Sequence, residues 1–500
     1  MYKIFIIILL GCSFFMHSCT STKNYTPAKK YAPAALQKDF VLMRNILEAK
    51  HPSLYWYTPK EKMDAYFNRY YNVIKDSMTE QQFAWLAVAP LLDKIRCGHT
   101  SMSLSKSYAK WGRNKVLPSF PLYVKLINDS LVVYGNLNAK TDSLIKRGTV
   151  ITSINDIPNK VLIQYMLEFL SEDGYSYNVS YMRLSGNFPY YHRNVFGLSK
   201  NYKITYLDSV GVEKKAIVPA YMLVKDSTKK QDSTKPIIVP KEKKIKIPRA
   251  ERLKQYRSLE IDSSGKFATL TLNTFSEGHL RNFFRRSFKK LRKENIGNLI
   301  IDIRSNGGGR VGMSTLLSKY ISKLPFKIAD TVATQSRGVG GYGKFISGKF
   351  FNSLQMMVMS SKRKDGLYHL KRFENHFYKP KQNNYNGKVY VLTGGNTFSA
   401  STLFCNAIKG QTHVKLMGEE TGGGAYGNSG IMIPHFTLPN TKVQIRLPLY
   451  RVVQPYYGQE KGRGIIPDIL ILPSYDALKN GYDKKMVFVR QLITAEAQSR

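Results

Sequence analysis

Between residues 33 and 96, apolar side chains return every three or four positions (Phe40, Met43, Leu47; Phe67, Tyr70, Val73, Ile74; Phe83, Leu86, Leu91). That period predicts amphipathic helices, broken at His51-Pro-Ser. From Leu117 to about Val224 the period shortens to β-rich runs: Leu122-Tyr-Val-Lys-Leu-Ile, Leu131-Val-Val-Tyr and Lys203-Ile-Thr-Tyr-Leu. Beyond residue 257 the two patterns alternate. Phe267 to Leu272, Leu299 to Ile303, Val389 to Leu392 and Val414 to Met417 read as strands. His279 to Asn295, Val311 to Ile321 and Ser399 to Ile408 read as helices between them. Such succession predicts an α/β unit whose sheet is largely parallel. Gly338 to Asn386 is rich in Gly, aromatic residues and Lys without a clear period, as expected of a lid or a long loop.

Five hundred residues with 43% hydrophobic content are enough for several packed domains. The chain opens with a basic start, an apolar run too short to span a bilayer, and a small residue before Cys19. This pattern predicts a bacterial signal peptide and a lipoprotein, acylated at Cys19 and tethered by the polar stretch that follows. The expected locations are therefore the periplasm or outer membrane, with the lipid anchor as the membrane contact. The net charge is +42. An exported chain with no nucleic-acid motif is expected to meet anionic envelope surfaces rather than nucleic acid. Charge is densest from Lys225 to Arg257, with twelve Lys/Arg against four Asp/Glu and the repeat Asp226-Ser-Thr-Lys, Asp232-Ser-Thr-Lys. Low apolar content and self-repulsion predict a linker there.

The chemistry concentrates where Val389-Tyr-Val-Leu runs into Thr-Gly-Gly-Asn-Thr-Phe-Ser-Ala-Ser. A strand, a Gly-Gly turn and a helix start put the Ser399 hydroxyl beside free backbone N–H groups, which can stabilise an oxyanion. An isolated Ser there would more often be only a helix cap. Two further segments supply partners. His99 follows an amphipathic helix in Gly98-His-Thr, and Glu460 precedes Lys-Gly-Arg-Gly-Ile-Ile-Pro-Asp468. A Ser nucleophile needs a base, and the base needs an orienting group. Taken singly, a His after a helix is usually a surface or capping residue, and a Glu in such a turn is usually solvated.

Gly98-His-Thr100, Leu299-Ile-Ile-Asp-Ile-Arg-Ser-Asn-Gly-Gly-Gly309, Ser399-Ala-Ser401, Gly418-Glu-Glu-Thr-Gly-Gly-Gly424 and Gly464-Ile-Ile-Pro-Asp468 occur in this order. The set resembles the tail-specific, or C-terminal processing, proteases from about residue 35 to 490. The resemblance implies a crotonase-like α/β core with Ser399 as nucleophile. It also implies an oxyanion hole from the amides of Gly307 or Gly308 and of Ala400. Lysine-dependent members carry their base twenty-five positions after the Ser; here that position is Gly424, and no Lys lies between Lys415 and Lys442. The chain therefore looks like the tricorn-core branch, which implies a Ser399–His99–Glu460 site, with Glu419 or Glu420 as substitutes for Glu460. Ile145 to Pro158 resembles the strand-turn of a PDZ domain, interrupted by an insertion from Gly174 to Val195; a β domain that binds no peptide stays open.

The expected organisation is an α/β multidomain chain. It comprises a lipoprotein signal peptide (1–19), a tether (20–32), an N-terminal helical domain carrying His99 (33–115) and a PDZ-like domain (116–224). A basic linker (225–256), the protease core (257–475) and a C-terminal helix (476–500) follow. The implied activity is a serine endopeptidase acting on envelope or exported polypeptides, without metal or cofactor. The alternative is a silent relative that binds peptides or apolar ligands. Cys97 and Cys405, the two cysteines beyond the acylated Cys19, are expected as buried thiols rather than a disulfide.

Overall fold

The computed structural model describes residues 25–222 and 248–498, except positions 114, 116, 128, 140–143, 456, 457 and 459. The expected leader with Cys19, the first residues of the tether and most of the basic linker lie outside the described residues. Among the described residues, no helix is long and apolar enough to cross a membrane.

The core sheet runs in the order Arg257–Ile261, Ala268–Leu272, Asn298–Asp302, Lys388–Thr393, Val414–Gly418, Ile469–Leu470. Its first pair is antiparallel and every later pair is parallel. Parallel neighbours require crossovers, and helices Leu280–Lys293, Val311–Ile321 and Ala400–Ile408 lie in three of the four connections. Both faces of the sheet are covered, which explains its unbroken apolar runs. Leu299, Ile301, Val389 and Val391 pack with Phe284, Leu317 and Phe404 from these helices. The alternate residues Ile300, Tyr390 and Leu392 meet Val489 and Ile493 of the C-terminal helix Lys484–Gln498.

The N-terminal region is helical, with Pro33–Lys50 ending at His51 and Lys60–Tyr71 following it. Glu80–Phe83 continues through a widened turn (Ala84–Val88) into Ala89–Asp93, and the widening falls directly before Pro90, which has no N–H to donate back along the helix. The apolar faces of these helices share one core with Phe436, Ile445, Tyr450 and Val452 from the antiparallel sheets beside the main one. Immediately after His99, strand Met102–Ser103 pairs with Gln444 and Ile445. The segment carrying His99 is thereby clamped to the body at both ends.

Residues 122–219 form an antiparallel sheet ordered Leu122–Ile127, Ser130–Asn136, Val150–Ile154, Asn201–Leu207, Glu213–Pro219. The stretch expected as an insertion forms helices Asn178–Gly186 and Phe188–Phe196. Their Leu184 and Phe188 are fully buried against Leu122, Val124 and Leu162, so these helices belong to the same core. The edge strand Leu122–Ile127 donates its Leu126 N–H to Ser185 Oγ at 3.0 Å. An edge amide of the kind a bound peptide would use is thus held by the chain's own helix.

Candidate active site

Strand Lys388–Thr393 ends at Gly394-Gly395, and the chain re-enters order as helix Ala400–Ile408. Ser399 is the hinge between them, with φ 54° and ψ −120°. A non-Gly residue held there costs about 1–3 kcal/mol and persists only where its surroundings enforce it. The enforcement is visible. Gly308, itself at φ +99°, lies so close that a Cβ on it would sit 2.7 Å from Ser399 Cβ and 2.9 Å from Ala400 N. Sharp turns of this kind push a side-chain oxygen clear of the helix that follows.

The Ala400 amide is the first of that helix, so it has no intrahelical acceptor and is free to bind an oxyanion. Of the two glycines expected opposite it, Gly308 donates its N–H to Asn306 Oδ1 at 2.9 Å. Asn306 is itself anchored through Leu272 O at 3.1 Å. The Gly308 amide is therefore occupied within its own turn, which leaves Gly307 as the available partner.

His99 Nε2 lies 3.0 Å from Ser399 Oγ. The ring is buried and packs on Phe398 with centroids 4.8 Å apart. Gly98 makes this approach feasible, because a Cβ there would fall 2.7 Å from the Phe398 ring and 3.3 Å from Asp173 Oδ1. Behind the turn, Thr100 Oγ1 meets the buried His51 Nε2 at 2.7 Å. The break at His51-Pro-Ser thus supplies a brace for the His99 turn.

Nearest to His99 Nδ1 is Asp173, with Oδ1 at 4.0 Å. Nδ1 is buried and makes no hydrogen bond. A shift of about 1 Å would bring the two into ordinary hydrogen-bond range, and bonds of this kind commonly tighten as substrate fills a site. Asp173 is 1% exposed and fixed by the amides of Gly98 at 2.8 Å and Gly424 at 3.5 Å. Its neighbours stitch three segments together. Gly174 N donates to Arg96 O at 3.0 Å, Tyr175 N to Gly462 O at 2.7 Å, and Ser176 Oγ to Thr421 O at 2.8 Å.

Electrostatics sort the two groups. Burial, reinforced by the nearby Arg446 and Arg183, holds His99 down at about 3. Burial raises the Asp173 carboxyl to about 6, opposed by the Gly98 and Gly424 amides and Arg183. At neutral pH the pair is therefore a neutral imidazole facing a carboxylate. An Nε2 acceptor requires its proton on Nδ1, the side facing Asp173.

Glu460 is not part of this arrangement. Its side chain is 75% exposed and its nearest cation is Arg463 at 3.8 Å. The place beside the imidazole is filled by Asp173, while the backbone of the Glu460 turn is used at Gly462 to receive Tyr175. The substitutes are committed elsewhere: Glu419 pairs with Lys485, and Glu420 with Arg463 and the Gly464 amide. At the position of the family's lysine, a side chain on Gly424 would start 3.4 Å from Asp173 Cβ. Asp173 directly precedes the stretch Gly174 to Val195 expected as an insertion, and no motif marks it. The signal that could have found it is the pair Glu172-Asp173 before Gly174, two adjacent acids in a strongly basic chain.

Cys97 and Cys405 are free and buried, and burial pushes the Cys97 thiol up to about 11. Neither is a nucleophile near neutrality.

Residues 266–471 match peptidase family S41. That span holds Ser399 and the Gly307–Gly308 turn; His99 and Asp173 lie outside it. No curated protein matches the chain. Among solved structures, mature CPAF complexed with lactacystin superposes with a TM-score of 0.62 at 12% identity, covering 93% of this chain and 98% of that one. At this identity the likeness speaks for the fold alone. The photosystem II D1 C-terminal processing protease (TM-score 0.39, 12% identity, 89% and 97% covered) and the tricorn protease (0.40, 13%, 92% and 37%) are more distant.

Proposed function

On the premise that this chain belongs to peptidase family S41 through residues 266–471 and is a serine peptidase, we propose an endopeptidase that works through an acyl-enzyme on Ser399, with His99 as base and Asp173 as orienting carboxylate. Ser399 Oγ attacks the scissile carbonyl carbon as its proton passes to His99 Nε2. The carbonyl oxygen becomes an oxyanion held by the amides of Ala400 and Gly307. The imidazolium, stabilised by Asp173, then returns the proton to the leaving amine. Water attacks the ester by the same path in reverse.

The observation that carries this reading is the 3.0 Å approach of His99 Nε2 to Ser399 Oγ across 300 residues of sequence. The substrates proposed are exported or envelope polypeptides, met by a chain anchored through lipid on Cys19; the support for this is the N-terminal pattern of a basic start, an apolar run and Cys19. A labelled fluorophosphonate tests the chemistry. The adduct is expected on Ser399 and is expected to vanish in Ser399→Ala and His99→Ala. Folded protein that takes no label would reject the proposal in favour of a silent binder.

A further inference from the structure

Helix Lys349–Met359 turns its larger apolar face outward. Its inner side carries two methionines among small and polar residues, with Met359 packed partly against the neighbouring core. Met356 is its one buried residue, Ser353 Oγ accepts from Val339 N at 3.4 Å, and Asn352 Nδ2 donates to Ser347 O at 2.9 Å. Its outer side carries Phe350 (78% exposed), Phe351 (69%), Leu354 (50%), Met357 (51%) and Val358 (76%). At 100° per residue these five fall within an arc of about 120°, the width of an apolar stripe meant for burial. Single exposed apolar residues are ordinary; five large ones on one outward stripe are not. The helix is also pinned in this orientation, since the Arg337 guanidinium donates to Met357 O at 2.7 Å.

The charge around the stripe selects its occupant. From Thr331 to Lys364 there is no Asp or Glu, and Arg337, Lys344, Lys349, Lys362 and Lys364 are exposed; Arg363 is paired with Glu374, and Asp365, the next acid in sequence, is bonded to His369. A two-fold contact between copies would press this patch against itself and oppose its own cations. An anionic lipid surface complements both features, taking the apolar stripe into the acyl boundary and the cations onto its headgroups. We infer that helix Lys349–Met359 is an interfacial anchor that lays this face of the protein on an anionic membrane.

The test uses the chain from residue 20 onward, so that neither the apolar leader nor an acyl group contributes, in flotation with phosphatidylcholine vesicles with and without phosphatidylglycerol. Binding is expected to vesicles containing phosphatidylglycerol, and to weaken at least about tenfold in Phe350→Ser/Phe351→Ser, where two apolar side chains leave the acyl boundary. High salt should weaken it as well. Fluorophosphonate labelling of the double variant at the parent rate shows that it is folded. Absence of binding by folded protein, or unchanged binding in the double variant, would overturn the inference. So would a dimer in solution that the same substitutions dissociate, because a second copy would then own the stripe.

Discussion

The two halves of the catalytic pocket are made in different ways. The nucleophile half is local: strand Lys388–Thr393, a Gly-Gly turn and helix Ala400–Ile408 fix Ser399 within one supersecondary unit, and the neighbouring Gly308 turn holds its unusual backbone. The base half is assembled. His99 comes from the end of the N-terminal helices and Asp173 from the loop before helix Asn178–Gly186. They meet only because the Gly98 amide, Arg96 O, Thr421 O and Gly462 O receive or bind the 171–178 segment. A unit formed by consecutive residues is positioned as soon as the sheet forms. A unit formed by three loops depends on every docking contact, so its substitutions should reveal far more about function than about stability.

The largest effect within the assembled half is expected at Asp173. Asp173→Asn keeps the shape and the Gly98 contact, yet it removes the charge that favours the imidazolium and can hold the ring in the wrong tautomer. The fluorophosphonate labelling rate should fall about 100-fold or more, with little change in melting temperature. A rate within threefold of the parent would show that the 4.0 Å gap never closes and that the nucleophile half works with His99 alone.

This asymmetry also decides what could be read from the amino-acid order. The helix Val311–Ile321 was legible to the residue, and four of the five parallel strands to within a residue or so, because burial on both faces leaves strong apolar runs. Ser399 was legible for the same reason: its setting lies within a dozen consecutive residues. His99 was legible only through a resemblance, since a buried His after a helix has no local mark. Glu460 carries no local mark of a pocket, because its Lys-Gly-Arg setting is equally good in a pocket or in water, and the resting structure leaves its side chain exposed. Asp173 was missed because nothing near it in sequence is catalytic; its partners are a turn 75 residues earlier and another 251 later.

Gly98→Ala should come next in size. The added methyl would fall 2.7 Å from the Phe398 ring and 3.3 Å from Asp173 Oδ1, so the His99 turn must retreat from Ser399. Loss of alignment by even 1 Å can cost about 100-fold, and a tenfold or greater drop in labelling rate is expected here. Substituting the corresponding space in the local half gives a control: Gly307 has nothing within 4 Å of its Cβ position, so Gly307→Ala should be milder. Equal losses in the two variants would erase the distinction between a local and an assembled half.

A smaller and graded effect is expected from acid. His99 is held at about 3, so the neutral base survives to low pH, but Asp173 gains its proton near 6. The sign follows from what protonation removes. Below about pH 6 the carboxyl is neutral and no longer stabilises the imidazolium, so the labelling rate should decline up to about tenfold per unit. Above that pH it should level off. Asp173→Asn should abolish this limb, leaving a low, flat profile down to pH 4. A limb that persists in the variant would move the titration to another group.

The smallest effect belongs to Glu460, and that makes it the sharpest discriminator between the two carboxylates. A side chain that is 75% exposed, with Arg463 at 3.8 Å as its ionic neighbour among the described residues, belongs to a class of surface pair worth about 0–1 kcal/mol. Glu460→Gln should therefore change the labelling rate by less than about twofold and leave the pH limb in place. The comparison is controlled by chemistry, because both substitutions exchange a carboxylate for its amide at constant shape. If Glu460→Gln were crippled while Asp173→Asn stayed active, the Glu460 turn would have to swing inward during the reaction. The base half would then be assembled by substrate rather than by the resting fold. The opposite order of effects assigns the proton relay to the loop that docks between Gly98 and Gly424.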